Sequence, residues 1–583
     1  MSDKPRTHLT YETVIDGVSP TALIDNSHFL PRADAGPARH QLSVSLQTRE
    51  LPMSCSESRL SSSLYAGRRA DLFPGVTLDL VSDGDDLIPV ERDLLRAPQG
   101  ESFWDLAVAP GQVWSEPGDR GMSRAVLPFL LCNELENDTH HGLVCFLFDD
   151  KRVSPWQMQI AIETKPFVIP FLFDAWATVN VVRTELDCAT VAPNISAFQV
   201  EKREQHVLKP LSALPGDVAQ ALFADLDRGV GADTTVVHGL IVDDIIYSSA
   251  CHTRAGDYPL LRAMQMGLWS ATKTAFGTIA CLRLAQSTGE DCRSAIVADL
   301  IPEASVNPRW NQITIADCLN MATSIGTLEA DPNTPDVFAD YVLEEERCHE
   351  SAQHRQSFDH YFDWFLAYPR AEKNRHAFSC ASYPWAPGQV ARYRDQDLYI
   401  AGVAMDAWLK RKRGPDARLW DMVRDEVYEP CGLRHAINFQ TRESNQQEIV
   451  PLTDAGLLLS LDNIACLARL LHDGGLCNGD QILDPSLLAE VFDPSVRKGL
   501  PTGMYTTDGE QHYHFGTWHL PYISPGGELF WLPTMSGHGG QKIQLLPNGM
   551  TAFRFAYDDY SFGERFDALK LARIADAIRP FSA

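Results

Sequence analysis

The pattern of hydrophobic and polar positions divides the chain into two regions. In the first 200 residues, short apolar runs are separated by turns rich in Pro, Gly, Asp and Ser. In residues 156–164, WQMQIAIET, apolar side chains recur at every second position, which is the period of a half-buried strand. Residues 141–150 and 166–176 are predicted as further strands. The pattern predicts a mostly-β accessory domain over residues 1–205, with a sandwich as its candidate architecture.

After a polar, Pro-containing stretch at 201–217, helical periodicity becomes frequent. Residues 235–250 predict two strands joined by a turn at Asp243 and Asp244. Further strands are predicted near the C-terminus, and residues 326–385 are predicted as an irregular insertion or lid. Strands at both ends with helices between them predict an α+β domain over residues 206–583, whose first and last strands share one sheet. The helical patterns lie at 217–229, 270–286, 311–326 (capped by Thr314 or Asp317), 396–414, 454–475 and 565–581.

Charge and cysteine usage narrow the class of protein. The chain has 50 Lys plus Arg and 77 Asp plus Glu, a formal net charge of −27, which disfavours nucleic acid as a partner. Its 13 Cys show neither CxxC nor zinc-finger spacing, and buried thiols suit a reducing compartment. No signal peptide and no membrane-length apolar run is visible. We expect a cytoplasmic protein that binds no metal, cofactor or membrane. Whether it forms a homo-oligomer is left open by the sequence.

The stretch GLWSATKTAFG, residues 267–277, contains two candidate catalytic residues. Ser270 and Lys273 would share one face of a helix, where a neutral, desolvated amine can take the proton of a serine hydroxyl. The plainer interpretation is a helix-capping serine followed by a solvated lysine. A second copy, Ser495 to Lys498, precedes a Gly-Leu-Pro turn and shows that chance produces this spacing.

Seven segments in a fixed order make the assignment more specific. Together they resemble the penicillin-recognising serine hydrolases, a superfamily of class C β-lactamases, D-Ala-D-Ala carboxypeptidases, β-lactamase-like esterases and 6-aminohexanoate-dimer hydrolases. The resemblance covers about residues 215–583 and implies a β-lactamase/transpeptidase-like fold, an antiparallel sheet with a helical region. The segments are LWSATKTAFGTIACLRLAQ, ADLIPE, WNQITIADCLNMATSIG, APGQVARYRDQDLYIAG, EVYEPCGLRHA, LTDAGLLLSLDNIACLARLLHDGG and MSGHGGQKIQLLPNG.

The resemblance assigns three catalytic roles. It makes Ser270 the acylated nucleophile, Lys273 its activating partner and Tyr393 the shared general base and acid; on its own, Tyr393 would be a loop aromatic packed under the next helix. Asp395 stands where the family usually has Asn, and a carboxylate only accepts hydrogen bonds. Three roles stay open for Asp395: it could cap the following helix, attract a cationic group of the substrate, or hold Lys273 charged.

The resemblance also implies a substrate-binding turn. His538, Gly539, Gly540 and Gln541 either take the place of the family's Lys-Thr-Gly motif or precede the strand that follows it. In both cases a backbone N–H of the turn would join the Ser270 N–H in an oxyanion hole.

The expected function is that of a serine hydrolase that works through an acyl-enzyme on a small ester or amide, with esters favoured. The alternatives are an amide hydrolase of the 6-aminohexanoate-dimer type, a β-lactamase, and a catalytically inactive binding module. An α/β-hydrolase is rejected, because its nearest nucleophile matches, Ser287 and Ser324, lie at the ends of helical patterns instead of strand ends.

Overall fold

A computed structural model describes most of the chain. Its strands form two large sheets, and most of its helices lie along the second half of the chain, which confirms the predicted α+β class. Within the described part, no helix is both long enough and apolar enough to cross a membrane. The described residues are 6–56, 64–65, 67–96, 100–133, 135–167, 173–228, 230, 234–326, 334, 336–340, 360–493, 495–558, 560–561 and 564–582.

The first sheet is antiparallel and has 11 strands. The central strands pair in chain order from Gly111–Trp114 to Ala175–Val179, whereas Val181–Thr184 returns to pair with Ser43–Thr48. All 11 strands are hydrogen-bonded into this one sheet, with Asp105–Val108 branching from the main path to pair with Ser123–Asn133, and the sandwich architecture stays a prediction. In chain order the strands are Ser43–Thr48, Ser54–Cys55, Thr77–Asp83, Asp86–Pro89, Asp105–Val108, Gly111–Trp114, Ser123–Asn133, Glu136–Phe148, Trp156–Glu163, Ala175–Val179 and Val181–Thr184.

The long central strands of this sheet are buried on both faces. Along Glu136–Phe148, alternate residues enter different cores, as the two-residue period of a strand requires. Phe146 packs inside the first domain, whereas Leu143 joins a core that also contains Met266 of the second domain. The two domains therefore share a hydrophobic core.

The second sheet has nine strands and begins at Val207, after helix Cys188–Glu204 and close to the predicted domain boundary. Thr235–Val242 pairs antiparallel with Thr551–Ala556, so the first and last parts of the domain do share one sheet. Across the sheet the strands are Val207–Pro210, Ile245–Ser248, Thr235–Val242, Thr551–Ala556, Gln541–Leu545, Leu529–Gly537, Thr517–Ile523, Gly509–His514 and Leu500–Thr506.

Three of the predicted helices differ in the structure. Residues 311–326 hold only the short α-helix Ile315–Leu319, and they end in strand Ile325–Gly326. The segment after Ser270 combines a 3₁₀ turn, Trp269–Ala271, a π-helical stretch, Lys273–Thr278, and helix Ile279–Thr288. Residues 454–475 hold the short strand Leu457–Leu459 before their helix begins. The described α-helices are Tyr11–Ile15, Cys188–Glu204, Asp217–Ala224, Ile279–Thr288, Val297–Leu300, Ile315–Leu319 (where Thr314 and Asp317 form a reciprocal capping box), His360–Leu366, Arg370–Ser379, Asp395–Arg413, Leu419–Val423, Leu461–His472, Pro485–Phe492 and Leu569–Ile578.

Candidate active site

Ser270 lies in a turn that the first domain holds in place. The preceding residue, Trp269, has a φ of 48°, a left-handed conformation that costs a bulky residue about 1–3 kcal/mol. Its backbone N–H donates to Asn137 Oδ1 at 2.5 Å, and its indole N–H donates to the Lys165 carbonyl at 2.9 Å. Both acceptors belong to the N-terminal domain, which therefore stabilises the backbone next to the candidate nucleophile.

Lys273 lies directly beside Ser270. Its Nζ donates to Ser270 Oγ at 2.6 Å, to Asp395 Oδ1 at 2.5 Å and to the Asp454 carbonyl at 3.0 Å. A lysine ammonium has three donors and no acceptor, so this arrangement uses every N–H of a charged Lys273. The side chain is buried, which makes the contact with the Asp395 carboxylate a buried ion pair.

Tyr393 reaches the same oxygen from another direction. Its hydroxyl donates to Ser270 Oγ at 2.5 Å, and Lys273 Nζ lies 5.0 Å from the centre of its ring. The ring also packs against Phe338, with centroids 4.8 Å apart. Tyr393 thus packs against a neighbouring aromatic ring, and its hydroxyl also contacts Ser270.

Asp395 is the first residue of helix Asp395–Arg413, and its carboxylate points to Lys273. Its second oxygen accepts from the Tyr361 hydroxyl at 2.7 Å, and no side chain caps this helix by a hydrogen bond. The proposed helix-capping role is therefore wrong, and the geometry favours the role of holding Lys273 charged. Sequence reasoning missed Tyr361, because residues 326–385 are predicted as an irregular insertion or lid and no motif marks them. That prediction is wrong for helices His360–Leu366, which holds Tyr361, and Arg370–Ser379.

Two further charged side chains are buried near this cluster. Burial raises the pKa of Asp454 to about 6, and the neighbouring Asp395 carboxylate contributes to the rise, while Lys273 opposes the shift. Burial also lowers the pKa of Lys373 to about 8. The Lys373 ammonium donates to the carbonyls of Trp364 and Phe365. The site is thus a low-dielectric environment in which each charge depends strongly on its neighbours.

The glycine-rich turn lies against the nucleophile segment. Strand Leu529–Gly537 ends at the 3₁₀ turn His538–Gly540, and the His538 ring lies 5.4 Å from that of Trp269. A Cβ at Gly537 would come within 2.1 Å of the Leu268 carbonyl oxygen, so this close approach requires glycine. The turn therefore places backbone next to the residues that precede Ser270.

Gln541 does not face the substrate as predicted. Its side chain is fully buried, its Nε2 donates to the carbonyls of His538 and Ala556, and its Oε1 accepts from the Ala556 N–H. Because both ends of the amide bond to backbone, Gln541 holds the turn in place. This corrects the prediction of substrate contact for Gln541.

The second Ser-x-x-Lys match has a different environment. Ser495 is exposed and its Oγ donates to Asp493 Oδ1 at 2.6 Å, while Lys498 lies over the Trp531 ring at 5.2 Å. Serine and lysine have separate partners there. Across the part of the chain that the structure describes, no group of three or more His, Cys, Asp or Glu side chains is arranged to hold a metal ion.

Comparison with known proteins gives structural likeness alone. No protein-family model and no curated protein sequence matches the chain. A penicillin-binding protein homolog from Caulobacter crescentus is 13% identical, with a TM-score of 0.40 over 63% of this chain and 98% of that one. A family VIII carboxylesterase is 15% identical, with a TM-score of 0.40 over 63% and 98%. A class C β-lactamase is 12% identical, with a TM-score of 0.39 over 62% and 94%.

These solved structures belong to the superfamily that the sequence motifs resemble. Their TM-scores lie below 0.5, so the likeness carries no argument about activity. Any assignment of function rests on the geometry around Ser270.

Proposed function

We propose that this protein is a serine hydrolase that cleaves small carboxylic esters through an acyl-enzyme on Ser270. The observation that carries this proposal is the pair of hydrogen bonds that Ser270 Oγ accepts, from Lys273 Nζ at 2.6 Å and from the Tyr393 hydroxyl at 2.5 Å. A serine hydroxyl is a weak nucleophile until neighbouring groups take its proton and stabilise its anion. The order of motifs along the sequence supports the same assignment.

In the acylation step, Ser270 Oγ forms a bond to the carbonyl carbon of the ester. The Tyr393 hydroxyl oxygen takes the serine proton as it passes its own proton to the leaving oxygen, and the carbon–oxygen bond of the ester breaks to release an alcohol. The Lys273 ammonium stabilises negative charge on Ser270 Oγ, because its Nζ lies 2.6 Å from that oxygen.

In the deacylation step, water attacks the acyl carbon and the carboxylic acid leaves. A proton of the water passes through the Tyr393 hydroxyl to Ser270 Oγ, which restores the enzyme. Both steps build negative charge on the carbonyl oxygen, which backbone N–H groups of Ser270 and of the turn His538–Gly540 would stabilise.

A panel of substrates tests the proposed reaction. We expect p-nitrophenyl acetate and butyrate to be hydrolysed with a higher kcat/KM than a linear amide or a chromogenic cephalosporin. Preference for the linear amide would favour an amide hydrolase, and preference for the cephalosporin would favour a β-lactamase. Failure to turn over any of the four would contradict the enzymatic proposal.

The ion pair of Lys273 with Asp395 favours a second candidate, a catalytically inactive binding module. All three N–H groups of Lys273 have acceptors, so the lysine cannot receive the serine proton in this arrangement. The ester panel separates the candidates, because an inactive module binds a substrate analogue without turning over any ester.

A further inference from the structure

A cluster of aromatic side chains around Trp269, the residue that precedes Ser270, comes from both domains. Its central member is Phe167, which follows strand Trp156–Glu163 of the N-terminal sheet. The ring centroid of Phe167 lies 5.3–6.3 Å from those of four residues of the second domain. They are His538 at 5.3 Å, Phe365 at 5.4 Å, Trp269 at 6.2 Å and Tyr361 at 6.3 Å.

The neighbours of Phe167 connect it to three parts of the candidate site. Trp269 precedes Ser270, His538 begins the glycine-rich turn, and Tyr361 donates to Asp395. Phe167 therefore lies where the nucleophile segment, the turn and the helix His360–Leu366 converge.

The first domain holds Phe167 in this position. The Phe167 backbone N–H donates to Glu136 Oε2 at 2.9 Å. Two residues earlier, the Lys165 carbonyl accepts from the Trp269 indole, and the Lys165 side chain lies against Gly539. Contacts on both sides of the segment make it a fixed surface that belongs to the site.

Edge-to-face contacts at these separations are close packing of aromatic rings, which leaves little room between them. We propose that the N-terminal domain forms one wall of the active site, with Phe167 as the residue that limits the size of the acyl group. This inference rests on the proposed ester hydrolysis. It assigns the substrate class as esters of short, uncharged carboxylic acids, since the wall is aromatic and packs against Trp269, the residue that precedes the nucleophile.

The test uses two readouts on the full-length protein and its Phe167→Ala and Phe167→Leu variants. The first is kcat/KM for p-nitrophenyl acetate, butyrate and octanoate. The second is the rate at which ethyl and octyl fluorophosphonates label Ser270, followed by intact mass. Phe198→Ala is the matched control, because Phe198 packs against Val81 and Ile88 in a separate core of the same domain.

We expect wild type to favour acetate or butyrate. Phe167→Ala should raise the ratio of octanoate to acetate kcat/KM about tenfold or more, as expected when a pocket gains room for methylene groups. Phe167→Leu should give a smaller rise, and Phe198→Ala should leave the ratio unchanged. The octyl to ethyl labelling ratio should follow the same order.

Three results would overturn the inference. If wild type is labelled and hydrolyses esters but both Phe167 variants keep its chain-length ratios, the proposed function stands and the role of Phe167 is wrong. If Phe198→Ala changes the ratios equally, the effect comes from loosening the domain. If wild type neither hydrolyses esters nor reacts with either probe, the proposed function fails and the acyl-size role fails with it.

Discussion

Ser270 Oγ accepts hydrogen bonds from Lys273 and Tyr393. The bond from Tyr393 can be removed while the rest of its side chain is kept. Tyr393→Phe deletes the hydroxyl that contacts Ser270 and keeps the ring that packs against Phe338. We expect kcat/KM for p-nitrophenyl butyrate to fall about 10²–10⁴-fold, the usual loss when a general base or acid is removed. Thermal unfolding of the variant should stay close to that of wild type. Near-wild-type turnover in Tyr393→Phe would show that Ser270 is activated without it.

The buried carboxyl of Asp454 makes a prediction about pH. Its pKa is about 6 in the folded protein, against 3.8 for an ordinary aspartate. Between pH 4 and pH 6 the folded state therefore binds more protons than the unfolded state, so stability falls as pH rises through this window. The free energy of unfolding falls by about 3 kcal/mol, because the pKa of Asp454 differs by about two between the folded and unfolded states.

Asp454→Asn should remove this dependence. Melting temperatures of wild type and variant, measured every half unit from pH 4 to pH 6.5, should show the variant gaining stability relative to wild type as pH rises. A difference that stays constant across the window, or that reverses in sign, would show that Asp454 does not titrate there.

At the residue scale, the sequence predicted which side chains lie around Ser270 but not which hydrogen bonds they form. The order of the motifs is sufficient to place Ser270, Lys273 and Tyr393 together. The partners of Asp395 and Gln541 depend on the direction of each side chain, which tertiary packing decides. Tyr361 carried no signal, because its only chemistry is a hydroxyl that folding brings to Asp395.

At the scale of elements, the nucleophile segment departs most from its pattern. Its apolar periodicity predicts one helix, whereas the structure has a 3₁₀ turn, a π-helical stretch and then an α-helix. The left-handed backbone conformation of Trp269 could not be predicted from the sequence, since bulky residues rarely adopt it. The conformation depends on hydrogen bonds from another domain, so no local pattern could predict it.

Asn137→Ala tests this dependence. The change removes the acceptor for the Trp269 N–H, and one such bond contributes about 1 kcal/mol. We expect kcat for p-nitrophenyl butyrate to fall about fivefold to tenfold, with KM nearly unchanged, because Asn137 is a positioning residue. Asn137→Asp retains a side-chain acceptor and should restore most of the loss. If KM rises instead, or if Asp fails to restore kcat, Asn137 acts in another way.

At the scale of the whole molecule, the two domains act as one unit around the site. The sequence predicts a β-rich region followed by an α+β region, and the second sheet begins at Val207, just after the predicted boundary. The sequence did not show that residues of both regions contribute to the candidate site, because contacts between domains leave no periodic pattern in the sequence of either domain. The shared hydrophobic core and the contacts of Asn137 and Lys165 with Trp269 make this connection.

Gly539 offers a direct test of the contact between domains. A Cβ there would lie 2.1 Å from Lys165 Cβ, and φ is 75°. Gly549 has a φ of 78°, and a Cβ added there would meet no atom within 4 Å, so Gly549→Ala introduces the same backbone strain without the clash. We expect Gly539→Ala to lower both melting temperature and ester turnover well beyond Gly549→Ala. Equal effects of the two substitutions would show that the contact with Lys165 has no influence on the site.

The most direct test of the central claim is to identify the residue that carries the acyl group. Brief incubation with p-nitrophenyl butyrate, acid quenching and peptide mass mapping should find a butyryl group on Ser270. Intact mass after fluorophosphonate treatment should show one adduct in wild type and in Ser495→Ala, and none in Ser270→Ala. An adduct that persists in Ser270→Ala, or wild-type protein that neither turns over the ester nor becomes labelled, would contradict the assignment of Ser270 as the nucleophile.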